Sequence, residues 1–181
     1  MSHGPALSRQ LADWAAGVTV DTLPANVVAA MKVYILDDLA GALVGSYTPW
    51  GDMVVKLAQE SASSGVCTVI GRSETSSPSY AAFANGTFIG GFETDHIYST
   101  GSSHPSAGAF SAAFAAAESR HQSGAAFLAA LAAGYETCCR VGFAATRAVE
   151  DVRGFHGPGT NSSFGAAVAS AKLLGLDAAG V

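Results

Sequence analysis

Three long stretches of this chain, Pro105 to Arg120, Ser123 to about Ala145 and Thr160 to Leu174, are built largely from Ala and Gly. Small side chains let helix backbones approach closely, so these stretches are expected as central helices of a tight cluster, not as independent amphipathic surface helices. Elsewhere the apolar residues also recur at helical rather than alternating spacing, between Gly, Pro and Ser turns. The fold class expected is all-α, a compact cluster of about seven helices.

The remaining helices follow from their start signals. A short one covers Leu7 to Ala16, and Asp21 or Thr22 offers a cap for a longer one beginning near Pro24. Over Val27 to Val44 that helix sets Val28, Met31, Ile35, Leu39 and Leu43 on one stripe. Pro49 and Trp50 open a third helix through Gln59, followed by a Ser/Gly link from Ser61 to Gly65, and Ser77-Pro78 opens another through about Gly91. Between them, Val66 to Ile70 is a β-prone run stopped by Gly71, read as an isolated strand or extended connection.

A length of 181 residues fits one domain, and 49% hydrophobic content supplies a core. With Lys+Arg 9 against Asp+Glu 14 and the cations scattered, nucleic acid is not an expected partner. Met1 to Gln10 lacks the apolar core of a signal peptide, and no stretch approaches the roughly 18 apolar residues of a membrane span. A cytoplasmic chain without a membrane partner is therefore expected. Cys67, Cys138 and Cys139 match neither a disulfide framework nor a zinc site and read as buried small hydrophobes.

Chemistry concentrates at two histidines, each just ahead of an Ala-rich helix. The loop Gly90 to Ser106 gathers Glu93, Asp95, His96, Tyr98 and His104, and Arg153 to Phe164 places His156 among Gly154, Gly157 and Gly159. A helix start presents unpaired N–H groups and the positive end of the helix dipole, so both positions suit a carboxylate. A carboxylate beside an imidazole fixes its tautomer and raises its basicity, which suits removal of a proton next to a carboxylate or carbonyl. The same residues also fit a solvated polar loop in which Ser103 or His104 merely caps the next helix, with Thr160 or Asn161 capping the one after His156. Asp95, His96 and His104 have ligand chemistry without a recognised spacing, so no metal is assigned. Arg153 could hold a substrate carboxylate. Glu136 and Arg140, at i and i+4 beside Tyr135, read as a structural ion pair, and Asp37, next to Asp38 inside an apolar helix, as capping or pairing internally.

Six ordered segments carry a resemblance: Leu36 to Gly45, Ala82 to Thr87, the acidic loop ending in His104-Pro105-Ser106, Gly134-Tyr135-Glu136 with Arg140, Gly154-Phe155-His156, and Ala171 to Asp177. Together they resemble the MmgE/PrpD family, which includes 2-methylcitrate dehydratase, cis-aconitate decarboxylase and iminodisuccinate epimerase. The resemblance implies a large all-helical domain whose pocket is completed by a smaller α+β lid. It also implies action without metal or organic cofactor on small di- and tricarboxylates. The reaction implied is proton transfer next to a carboxylate, coupled to loss of water or carbon dioxide or to epimerisation. His104 and His156 match the family's active-site histidines, with Glu93 and Asp95 orienting or sharing the proton and His96, Arg153 and Thr160 as substrate-binding candidates. The family's acidic loop usually carries an acid, a spacer and two adjacent acids. Here the run is Glu93, Thr94, Asp95, His96, so His96 replaces the second adjacent acid and Ile97 the threonine that often follows.

Family members are much longer, and the resemblance implies that this chain is the N-terminal part of the helical domain without the lid and its cationic residues. Because electrostatic stabilisation of developing charge is usually the largest catalytic contribution, such a half-site is expected to be slow or inert alone. Two functions follow as expectations. One is the helical portion of a lyase or isomerase, a homodimer or paired with a lid-containing chain. The other is a non-catalytic helical assembly module or truncated remnant of such an enzyme.

Overall fold

The computed structural model describes residues 6–62 and 64–181. The beginning of the Met1 to Gln10 segment and residue 63 of the Ser61 to Gly65 link lie outside the described residues. Eight α-helices run through the described chain: α1 (Leu7–Gly17), α2 (Ala25–Ser46), α3 (Pro49–Ala62), α4 (Pro78–Gly90), α5 (Pro105–Ser119), α6 (Gly124–Ala145), α7 (Ala148–Asp151) and α8 (Gly157–Leu173). Two short strands, β1 (Cys67–Thr68) and β2 (Thr75–Ser76), pair antiparallel with Cys67 opposite Ser76. The all-α expectation holds, and no described helix is long and apolar enough to cross a membrane.

The Ala/Gly-rich helices are the centre of the cluster. Helix α5 buries Ala109, Phe110, Ala113 and Ala115 to Ala117 between α4, α6 and α8. Where α6 crosses α8, a Cβ on Gly134 would stand 2.7 Å from the Gly165 carbonyl oxygen, so the two backbones are in direct contact. No residue larger than glycine fits that crossing without moving a helix. Large side chains fill the space that remains: Phe110 stacks on Phe114 with centroids 5.6 Å apart and meets Phe127 edge-on at 5.9 Å. Truncating Phe110 to alanine would cost about 3–5 kcal/mol as lost burial plus a cavity.

Local signals fixed most helix starts, with four corrections. Asp21 and Thr22 do not cap α2; they form a 3-10 turn over Val20–Thr22, closed by reciprocal bonds between Thr19 and Thr22, and Pro24 stands at the N-cap of α2. Leu43 is not part of the inward stripe. It is 48% exposed, because over 22 residues the apolar row drifts away from the packed face. Helix α8 begins at Gly157 rather than at Thr160, since the His156 side chain supplies the cap. The β-prone run is not isolated: the buried Asn85 of α4 accepts from the Ile70 N–H at 2.9 Å and donates to the Thr68 carbonyl at 2.9 Å, satisfying the edge of a hairpin too small to persist alone.

The outer faces of α2 and α3 remain apolar and open, with Leu36 68%, Val44 61% and Met53 70% exposed. Cys67 and Cys138 are buried, and burial pushes both thiols up, away from reactive thiolate.

Candidate active site

The loop from Gly91 to His104 is held on several sides. Phe92 meets the Trp50 ring edge-on at 5.2 Å, and Tyr98 and Ser103 exchange backbone hydrogen bonds of 2.8 and 3.2 Å. From α8, the buried Asn161 amide donates to the Gly101 carbonyl at 3.1 Å and to Ser103 Oγ at 3.0 Å, and Ser162 Oγ donates to the His104 carbonyl at 2.6 Å. Ser102 donates to Glu150 of α7. Helix α6 comes close enough that a Cβ on Gly142 would overlap Ser103 Oγ and the Gly101 carbonyl. Two residues, Glu93 at φ 55° and Ser102 at φ 44°, take left-handed backbone to make the loop's bends.

This anchoring sets His104 beside Asp95. His104 Nδ1 lies 2.9 Å from Asp95 Oδ1, and Ser106 Oγ donates to Asp95 Oδ2 at 2.8 Å, so both carboxylate oxygens are engaged. An ionised carboxylate only accepts, which assigns the shared proton to His104 Nδ1 and leaves Nε2 as the working nitrogen. His156 has the opposite arrangement: its Nδ1 accepts the Gly159 N–H at 3.3 Å, so in the neutral ring the proton is on Nε2. Glu93, Asp95, His104 and His156 line one cleft of about 420 Å³ between α4, α5 and α8, together with Ser111 and Ser162. No lysine or arginine lines it.

Three sequence candidates lie off the cleft wall. Arg153 is exposed in the turn between α7 and α8. Thr160 spends its hydroxyl on the His156 carbonyl at 2.9 Å and is exposed on the first turns of α8. His96 turns away from the His104 side that Asp95 faces. Its Nε2 lies 3.1 Å from Asp37 Oδ2, its Nδ1 lies 3.4 Å from the Tyr135 hydroxyl, and its ring packs 4.2 Å from Tyr34. Among the described residues no group of His, Cys, Asp and Glu is placed to hold a metal ion.

The sequence reading missed a second polar cluster behind the cleft. Asp38, 1% exposed on α2, accepts a 2.9 Å hydrogen bond from the Tyr135 hydroxyl. The buried acid is Asp38, whereas Asp37, expected to be capping or pairing internally, pairs with His96 from a half-exposed position. Burial pushes the Asp38 carboxyl up to about 7, pushes the Tyr135 phenol up, helped by the adjacent Asp38, and pulls the His96 imidazole down. Two adjacent acids in an apolar helix were the available signal, since one of them has to face inward. Glu136 and Arg140 form the expected surface ion pair at 2.6 Å.

Comparison with known proteins agrees with this architecture. The chain is 37% identical over 177 residues to a cis-aconitate decarboxylase-like protein, oryM, of Aspergillus oryzae, an alignment covering 94% of this chain and 37% of that protein. It is 30% identical over 175 residues to the cis-aconitate decarboxylase of Aspergillus terreus, covering 94% of this chain and 36% of that one. The mouse cis-aconitate decarboxylase is 29% identical over 165 residues, 88% of this chain and 34% of that protein. The chain therefore spans little more than a third of the length of the curated relatives it matches. Residues 9–181 match the MmgE/PrpD N-terminal domain, and the chain belongs to the MmgE/PrpD family.

Proposed function

We propose that this helical domain supplies the proton-transfer half of a decarboxylase site for a small, unsaturated tricarboxylate of the cis-aconitate kind. The observation that carries the reading is the cleft in which the Asp95–His104 pair faces His156. The relatives named as cis-aconitate decarboxylases favour decarboxylation over the other reactions of the family.

The chemistry follows from the two tautomers. His156 Nε2–H donates to a substrate carboxylate at the start of α8, where the helix dipole also favours negative charge. The bond from carbon to the departing carboxylate breaks, its electron pair moves into the adjacent unsaturated system, and carbon dioxide leaves. His104, protonated at Nε2 and steadied at Nδ1 by Asp95, then delivers that proton to the carbanion carbon. The ring is reprotonated from solvent. One proton is consumed for each carbon dioxide released. Glu93, at the cleft's exposed rim, helps to hold the transferable proton. His96, Arg153 and Thr160 are left outside substrate contact in this reading.

A substrate with several carboxylates needs cations, and the cleft wall has none. We assign them to residues outside this chain, which is why the test is made in a full-length context. Residues 9–181 replace the matching segment of the Aspergillus terreus enzyme, and carbon dioxide release from cis-aconitate is followed. The chimera is expected to turn over, with His104→Ala lowering kcat by about 10²–10⁴-fold. Turnover unchanged in both His104→Ala and His156→Ala would overturn the assignment. A chimera that folds and binds but releases no carbon dioxide would leave the non-catalytic assembly reading in its place.

A further inference from the structure

A second cavity of about 410 Å³ adjoins the cleft, and Asp95 lines both. Its wall carries three carboxylates, Asp37, Asp38 and Asp95, and no cation. Behind it the donors and acceptors do not balance without one additional proton. Tyr135 has a single hydroxyl proton and gives it to Asp38 Oδ2 at 2.9 Å. His96 faces Asp37 Oδ2 at 3.1 Å through Nε2, which places its ring proton there and leaves Nδ1 as a bare acceptor. That bare nitrogen lies 3.6 Å from Asp38 Oδ1, an oxygen with no hydrogen-bond partner on a side chain that is 0% exposed. Two acceptors thus face each other in a buried site, an arrangement that is costly until a proton lies between them.

We propose that Asp38 and His96 hold one proton in common beneath the cleft, and that this shared proton keeps the wall behind Asp95 from carrying a second buried negative charge. The pair is a positioning device that touches no substrate, and it rests on the reading that the cleft takes a carboxylate substrate. With the proton in place, Asp95 is the only ionised carboxylate lining both cavities, and a substrate carboxylate approaches His104 against Asp95 and the rim residue Glu93, without a further negative charge from Asp38. When the proton leaves through Asp37 to solvent, Asp38 becomes a second anion in a low-dielectric wall and repels the substrate. The groups that face Asp38 are Asp37 on its own helix, Tyr135 on α6, Asp95 and His96 on the loop and the Ser106 hydroxyl on α5. Burial raises Asp38 and lowers His96, as expected of a carboxyl and an imidazole that share a proton at neutral pH.

The test has an arm that needs no turnover. In the 181-residue chain, the Asp38 side-chain carboxyl and the His96 ring nitrogens are followed by NMR from pH 4 to 9. The expected result is a joint titration near neutrality, with His96 as the Nε2–H tautomer throughout the neutral range. Asp38 titrating as an ordinary carboxyl, independently of His96, would overturn the shared proton. In the chimera, KM for cis-aconitate is then compared for wild type and Asp38→Asn, whose amide can keep the Tyr135 and His96 hydrogen bonds but cannot ionise. The wild-type KM is expected to rise roughly threefold to tenfold relative to the variant between pH 6 and 8, with kcat little changed. Parallel KM profiles would reject the electrostatic role even with the shared proton seen. Should Asp38→Asn not fold, Tyr135→Phe serves instead. Loss of the hydroxyl is expected to displace the joint titration, and an unmoved titration counts against the network. A chimera without activity would sink the decarboxylase reading while the NMR result still decides the shared proton.

Discussion

His104 and His156 both stand at the N-cap of a long helix, and they are held by different means. His104 donates to a carboxylate that is itself tied to Ser106, in a loop anchored by Asn161 and Ser162 and closed against Gly142. His156 is exposed and accepts one N–H from its own helix. The same place at a helix start therefore gives two different imidazoles. One is fixed by tertiary contacts with its Nδ1 turned to a carboxylate, and the other is fixed by the helix it caps with its Nδ1 accepting an N–H. Asp95 behind His104 also connects the cleft to the Asp38 cluster, whereas His156 lines only the cleft.

The largest effect that would sharpen this contrast is catalytic. In the chimera His104→Ala should reduce kcat by about 10²–10⁴-fold and Asp95→Asn by about 10²-fold, while His156→Ala should act as much on KM as on kcat. Identical profiles for the two histidine variants would erase the distinction drawn from their tautomers.

Next in size is the pH dependence of folding. Asp38 is raised from 3.8 to about 7 in the folded chain, so between those values the folded state binds more protons than the unfolded one. Its contribution to stability therefore falls as pH climbs through that window and is level above it, by on the order of 4 kcal/mol in all. Asp38→Asn lacks this loss, and its melting temperature should gain several degrees on wild type between pH 5 and pH 8. A constant difference would show that Asp38 ionises normally.

The anchoring of the first loop predicts a smaller, steric effect. Gly142→Val drives a side chain into Ser103 and the Gly101 carbonyl and should cost about 1–3 kcal/mol in chemical unfolding. Gly154→Ala on the other side meets nothing within 4 Å and suffers only its positive φ of 73°, about 1 kcal/mol. Equal costs would mean that the loop is not held by packing.

The smallest effect separates cap from chemistry at His156. Asparagine caps as well as any residue, so His156→Asn should keep the stability that His156→Ala loses, about 1 kcal/mol, while both lower turnover. A stable His156→Ala would remove the capping role.

Much of this architecture was legible one segment at a time. Pro105, Pro78 and Ser123 announced their helices, and the Ala/Gly runs announced a close-packed centre, because start signals and side-chain size act within a few residues. Glu93, Asp95, His104 and His156 were likewise visible as two polar turns ahead of apolar helices, and the structure brings all four to one cleft. The local cap proposed at Thr160 or Asn161 failed for a non-local reason: Asn161 is engaged by a loop some 60 residues away, leaving His156 to start the helix.

What the sequence by itself determined is the helical class, the small-residue core and the kind of groups available for proton transfer, since these follow from composition, spacing and side-chain chemistry. Only the tertiary structure decided how those groups are wired. Asp38 meets Tyr135 across 97 positions of chain, His96 turns from the cleft toward them, and Arg153 and Thr160 fall outside the pocket their neighbours line. Those outcomes depend on which faces of distant helices come together, and the charge each group carries depends on how much water that packing removes.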